Sequence, residues 1–144
     1  MTKRLSITLG FCALLVAGGL AQTNAGKRTV RVEINYTGSG TVDASHRIYV
    51  ALWDTADLNN GRPVAVQSLD SKSGTVTFSD VQKVPAYATT AFDPTGAWKG
   101  DSAPPSGSSL GMYSKNPPKP EPIDVTPGKT VTVRISFNDS VKVP

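Results

Sequence analysis

The chain offers few residues able to do chemistry, and they lie far apart. His46 is the only histidine and sits beside Arg47 just ahead of an apolar stretch. An imidazole can serve as general base in a Ser-His-acid triad, which assembles in space rather than in sequence. A small hydrolase working through His46 is therefore one reading. No Ser-x-x-Lys pair after residue 25 strengthens it. A lone histidine at a strand entrance is ordinarily a solvated surface residue. A zinc or copper site needs several nitrogen and sulfur ligands, and this chain has one histidine and one cysteine, Cys12.

Calcium needs only oxygens. The run Asp93-Pro94-Thr95-Gly96-Ala97-Trp98-Lys99-Gly100-Asp101 carries an acid at each end of a Gly-containing turn, and Asp139 follows Phe137 in another turn. The spacing departs from an EF-hand: Ala97 stands where a third ligand would, and no Glu closes the loop. Asp93-Pro94 and Asn138-Asp139-Ser140 are also ordinary turn formers, whose side chains bond nearby backbone N–H groups. Turn chemistry accounts for these acids without a metal, and no cofactor is expected. A calcium-stabilised structural domain is kept as an alternative.

The aromatic side chains are the better candidates for binding. Tyr49 and Trp53 fall on one face of a strand pattern, while Trp98 and Tyr113 lie in a long irregular stretch. Exposed, these four rings would form a platform for a sugar, a peptide or a partner surface. Packed together, they would bury one another, because large rings are costly to leave in water.

The residues before this region read as an address. Lys3 and Arg4 precede an apolar or small-residue run from Leu5 to Leu20, and Ala21 and Ala25 offer small-residue exits. That order is the pattern of a secretory signal peptide over residues 1–25, with cleavage after Ala21 or Ala25. The run is shorter than the roughly 20 apolar residues of a spanning helix, so no stable membrane span is expected after cleavage. Removal of the segment takes Cys12, Lys3 and Arg4. The formal charge of +4 then falls by those two cations. A nearly neutral remainder with scattered Lys and Arg is a poor nucleic-acid binder. Without cysteine the fold must rest on its own core rather than on disulfides. The expected location is periplasmic or secreted, and the expected partner is a protein or glycan of the envelope or exterior.

The elements that must position these residues are strands. From Thr29 to Tyr36, Val30, Val32, Ile34 and Tyr36 alternate with Arg31, Glu33 and Asn35. From Arg47 to Trp53 both faces are apolar, so that strand is either covered twice or carries an exposed aromatic row. Val64 and Val66 mark a third strand, Ser73 to Ser79 a fourth, Ala86 to Phe92 a fifth, and Ile123 with Val125 a short sixth. The last runs from Thr130 to Phe137, with Val131, Val133, Ile135 and Phe137 inward. Period-two alternation punctuated by Gly, Pro, Asn and Asp predicts an all-β antiparallel sandwich of about seven strands in one domain, residues 26–144. Between Asp93 and Pro122 lie seven of the 11 prolines and no sustained periodicity. Its apolar residues argue against a plain linker, and the stretch is expected as an ordered excursion lying on the sandwich.

Part of this pattern resembles a known family. Ser73-Gly74-Thr75-Val76-Thr77-Phe78-Ser79-Asp80-Val81, followed by Pro85-Ala86-Tyr87 and the strand to Phe92, is similar to the middle of transthyretin-like sandwiches found as carboxypeptidase regulatory-like domains. Gly74, Phe78, Asp80, Val81, Pro85 and Tyr87 sit at matching positions. The strand from Ile48 and the following Gly61-Arg62-Pro63-Val64 fit the same plan. Two features depart from it: Pro85 stands where a Gly usually precedes the Tyr, and the insertion from Asp93 is not shared. The resemblance implies Greek-key connections and a non-enzymatic role as a binding or accessory module.

Overall fold

A computed structural model describes residues 26–144. The signal peptide expected over residues 1–25, with its cleavage after Ala21 or Ala25, lies outside the described residues. Seven strands and no helix make up the described part: β1 (Thr29–Tyr36), β2 (Ile48–Trp53), β3 (Ala65–Leu69), β4 (Ser73–Phe78), β5 (Tyr87–Phe92), β6 (Ser109–Met112) and β7 (Thr130–Phe137).

Alternation dictates the layers. In β1, Val30, Val32, Ile34 and Tyr36 are buried, whereas Arg31, Glu33 and Asn35 look outward. In β7, Val133, Ile135 and Phe137 are buried while Thr130, Thr132, Arg134 and Ser136 are exposed. Each such strand can bury only one face, so two sheets stack face to face. One has three strands in the order β4-β1-β7, and the other four in the order β3-β2-β5-β6. Their inner faces meet in one core, with Ile48, Val50, Leu52 and Phe92 opposite Val32, Ile34, Phe78 and Ile135. After β3 and β4, β5 returns to lie beside β2, the return connection of a Greek key.

Three details differ from the sequence expectation. The pairing of β1 with β7 is parallel, with Val32 beside Val133, whereas all other strand pairs are antiparallel. Ile123 and Val125 do not form a strand. Ile123 makes a single bridge to Ala86, and both residues are buried as a plug at one end of the core. Their spacing of two reflects burial, with pairing at Ile123 alone. The seventh strand instead lies inside the supposedly irregular stretch 93–122, where Ser109–Met112 pairs with β5, Leu110 opposite Ala91. Its register is fixed at Gly111, where a Cβ would stand 2.7 Å from the Phe137 side chain.

Candidate functional site

The outer face of the four-stranded sheet gathers most of the aromatic candidates. Tyr49, Ala51 and Trp53 alternate outward from β2, since Ile48, Val50 and Leu52 take the core side. β2 is central, so its outer row is flanked on both sides: Ala51 pairs with Val66 of β3 and Thr89 of β5, and Thr89 pairs with Met112 of β6. Small residues, Ala51, Thr89 and Ala91, form the middle of this floor. Two loops rise beside it, residues 56–63 and 98–104. Together they border a groove of about 1150 Å³ that is also lined by Leu58, Arg62, Leu110 and Met112.

The rings differ in how they are held. Trp53 donates its indole N–H to Thr89 Oγ1 at 2.9 Å, which pins the ring along the floor. Trp98 meets Tyr49 edge to face, with centroids 4.8 Å apart and planes at 61°. Its own indole N–H donates to the Ser102 carbonyl at 3.2 Å. Tyr49, Trp53 and Trp98 thus line one groove. Tyr113 does not line it: that ring packs against the core, and its backbone N–H donates to the Ala88 carbonyl at 2.9 Å.

Asp93 places Trp98. Its side chain is buried, and its carboxylate accepts from Thr95 N–H at 2.9 Å, the Thr95 hydroxyl at 2.7 Å and Trp98 N–H at 2.9 Å. Burial pushes this carboxyl up, but the N–H groups of Trp98 and Thr95 and the Thr95 hydroxyl outweigh it, so the acidity ends above the ordinary. The acid nucleates the turn that carries the indole to Tyr49. Asp101 is exposed at the groove rim. No group of three or more His, Cys, Asp or Glu gathers as a metal cage among the described residues. The Asp93 and Asp139 carboxylates accept hydrogen bonds from turn and strand-end groups.

Asp139, weighed in the sequence as a calcium oxygen or a turn former, is the stronger polar centre. It accepts from the Tyr36 hydroxyl at 2.5 Å, from Ser39 N–H at 2.8 Å and from the Ser109 hydroxyl at 2.7 Å. These donors, Tyr36 first, hold its carboxyl far below the usual range. Burial, then the adjacent carboxylate, push the Tyr36 phenol up.

Two possible catalytic arrangements can be placed. His46 Nδ1 lies 2.9 Å from Asp43 Oδ1, and Asp43 also accepts the His46 and Ser45 N–H groups. No serine hydroxyl hydrogen-bonds this imidazole among the described residues. The segment Gly107-Ser108-Ser109-Leu110-Gly111 matches the Gly-x-Ser-x-Gly form of a nucleophile elbow. An elbow exposes its serine on a strand-to-helix turn. Here Ser109 is buried within β6 and its hydroxyl donates to Asp139. Comparison with family models, with curated proteins and with solved structures finds no match for this chain.

Proposed function

We propose that the chain is an exported, non-enzymatic binding or accessory module that takes up its partner in the groove on the outer face of the β3-β2-β5-β6 sheet. One observation carries the reading: Tyr49, Trp53 and Trp98 converge on a single groove whose floor is built of small side chains. Flat aromatic rings above small residues suit a sugar ring or an extended peptide, which bring modest bulk and many C–H groups. The uncovered Arg62, Asn59 and Asp101 at its border supply hydrogen-bonding groups for orientation.

Three further points support the proposal. The Lys3-Arg4 head and the apolar run to Leu20 favour export. The transthyretin-like resemblance of residues 28 to 92 favours a non-catalytic role. The elbow-spaced serine and the histidine bond different acids: Ser109 bonds Asp139, and His46 bonds Asp43.

The test is a tryptophan-fluorescence titration of the protein with panels of oligosaccharides and of peptides drawn from the envelope and exterior of its host. The expected result is a saturable change with one class, weakened about tenfold or more by Trp53→Ala. Silence with both panels, together with hydrolytic activity that disappears in His46→Gln, would replace the binding module with an enzyme.

A further inference from the structure

The sheet edges differ in how they are finished. β6 is covered by the C-terminal segment, where Leu110 N–H donates to the Val141 carbonyl and Val143 N–H to the Ser108 carbonyl, both at 2.9 Å. At the opposite corner β3 lies beside β4, and the Gln67 amide caps the Thr77 carbonyl at 2.5 Å, while the other outward main-chain groups of these two edges have no main-chain partner among the described residues. β7 is the longest of the open edges. Thr29 N–H donates to the Lys129 carbonyl and Thr37 N–H to that of Phe137, so the odd-numbered residues of β7 face β1. By alternation, the N–H and C=O groups of Thr130, Thr132, Arg134 and Ser136 point away from the sheet. Among the described residues, no main-chain group pairs with them there.

Sheet proteins normally protect such an edge with Pro, Lys, a bulge or a covering segment. β7 is eight residues long and reads TVTVRISF, with no Pro and no Lys. We propose that this edge is a self-association surface, on which a second copy of the chain pairs β7 with β7 antiparallel about a two-fold axis through Val133. The edge's own residues specify that occupant and register. With Val133 on the axis, Thr132 of one copy lies opposite Arg134 of the other, and Thr130 opposite Ser136. Every outward N–H and C=O in that span then finds a partner. Slipping one step one way along the ladder would set Arg134 against Arg134, a like-charge pair that opposes association, and slipping one step the other way would carry Ser136 past the end of the partner strand and lose its pair. In the favoured register each Arg134 keeps its Glu33 neighbour, 2.7 Å away on the same face. On the inner side Val131, half-buried in one copy, gains Ile135 of the other as its cross-strand neighbour. The pairing joins the two three-stranded sheets into one and leaves both grooves open, because these lie on the other sheet.

The experiment is sedimentation equilibrium of the purified full chain over rising concentration, beside Thr132→Pro. Proline at this position removes only an outward N–H, a place that edge strands accept. The wild type is expected to form a dimer, and the variant to weaken it roughly 30-fold, because each copy loses a cross-strand hydrogen bond. A wild type that stays monomeric up to its solubility limit, or a dimer that Thr132→Pro leaves intact, overturns the proposal. Amide exchange of the wild type decides independently of whether the variant folds. Slow, concentration-dependent exchange at Thr132 and Arg134 supports the pairing, and fast exchange there beside protected Val131 and Val133 refutes it.

Discussion

The Tyr36 hydroxyl and the Asp139 carboxylate meet at 2.5 Å across 103 residues of chain, tying the end of β1 to the segment that follows β7. The Ser109 hydroxyl joins them from β6 at 2.7 Å, so one carboxylate links both sheets. Asp139 has a folded pKa held below its unfolded value of about 4. Its stabilisation is therefore complete above that value and is lost as pH falls through the folded one. Tyr36 has a raised pKa, so its contribution holds below about pH 10 and fades as pH rises. Asp139→Asn should cost roughly 2 kcal/mol at pH 7, the scale of hydrogen bonds to a charged acceptor. Urea unfolding at pH 7 and at pH 3 checks this: the gap between wild type and variant should narrow at the acid end. An unchanged gap would mean that shape rather than charge holds the joint.

A second carboxylate acts locally. Asp93 organises the turn that delivers Trp98 to Tyr49, through bonds to Thr95 and to Trp98 N–H. Asp93→Ala takes a charged acceptor from these part-buried donors, at roughly 1.5–3 kcal/mol. The expected signature is a red-shifted indole emission as Trp98 leaves the Tyr49 ring, with the β-sheet circular dichroism retained. An unshifted emission maximum would show that the ring pair, and not the acid, sets the turn.

Strands whose two faces differ in chemistry were legible in the sequence. Val30, Val32, Ile34 and Tyr36 against Arg31, Glu33 and Asn35 leave one register and one buried face. β6 was not legible, because Leu110 and Met112 alternate with serine and glycine amid a Pro- and Gly-rich stretch, and four residues carry little periodic signal. Ile123 and Val125 misled for the opposite reason: their alternation comes from plugging the core, and only Ile123 makes a bridge. The parallel partnership of β1 and β7 depends on contacts across the whole chain, which no local pattern encodes. The aromatic face of β2 was readable as a row, but the separation of Tyr113 from it was not. That separation follows from the Ala88 carbonyl holding Tyr113 against the core side.

Gly100 tests how closely the loop must lie on the floor. Its φ is +79°, and a Cβ there would stand 2.4 Å from the Tyr49 ring. Gly100→Ala therefore meets both the left-handed backbone cost, roughly 1 kcal/mol or more, and a clash with a ring packed between sheet and loop. The expected outcome is a lowered melting temperature and faster proteolysis within residues 94–104. Gly107→Ala is the control, since φ is also positive there but no atom lies within 4 Å of the added carbon. Equal losses in the two variants would assign the whole effect to backbone strain.

The groove reading is tested by separating rings that border it from one that does not. Trp53 lies on the floor and is fixed by its bond to Thr89, while Trp98 stands at one end against Tyr49. Both are half-buried, so Trp53→Ala and Trp98→Ala remove contact area for a ligand at moderate cost to the fold. Each should weaken binding of the ligand class found by titration about tenfold or more, the loss typical of an aromatic anchor. Tyr113 packs against the core and lines no part of the groove. Tyr113→Ala should instead cost roughly 2–3 kcal/mol of stability, in the manner of a partly filled cavity, with affinity unchanged at temperatures where the variant is folded. Isothermal titration alongside thermal melts of the three variants gives both quantities. If Tyr113→Ala abolished binding while Trp53→Ala spared it, recognition would lie at the other side of the β5–β6 pair and the outer-sheet groove would lose its role.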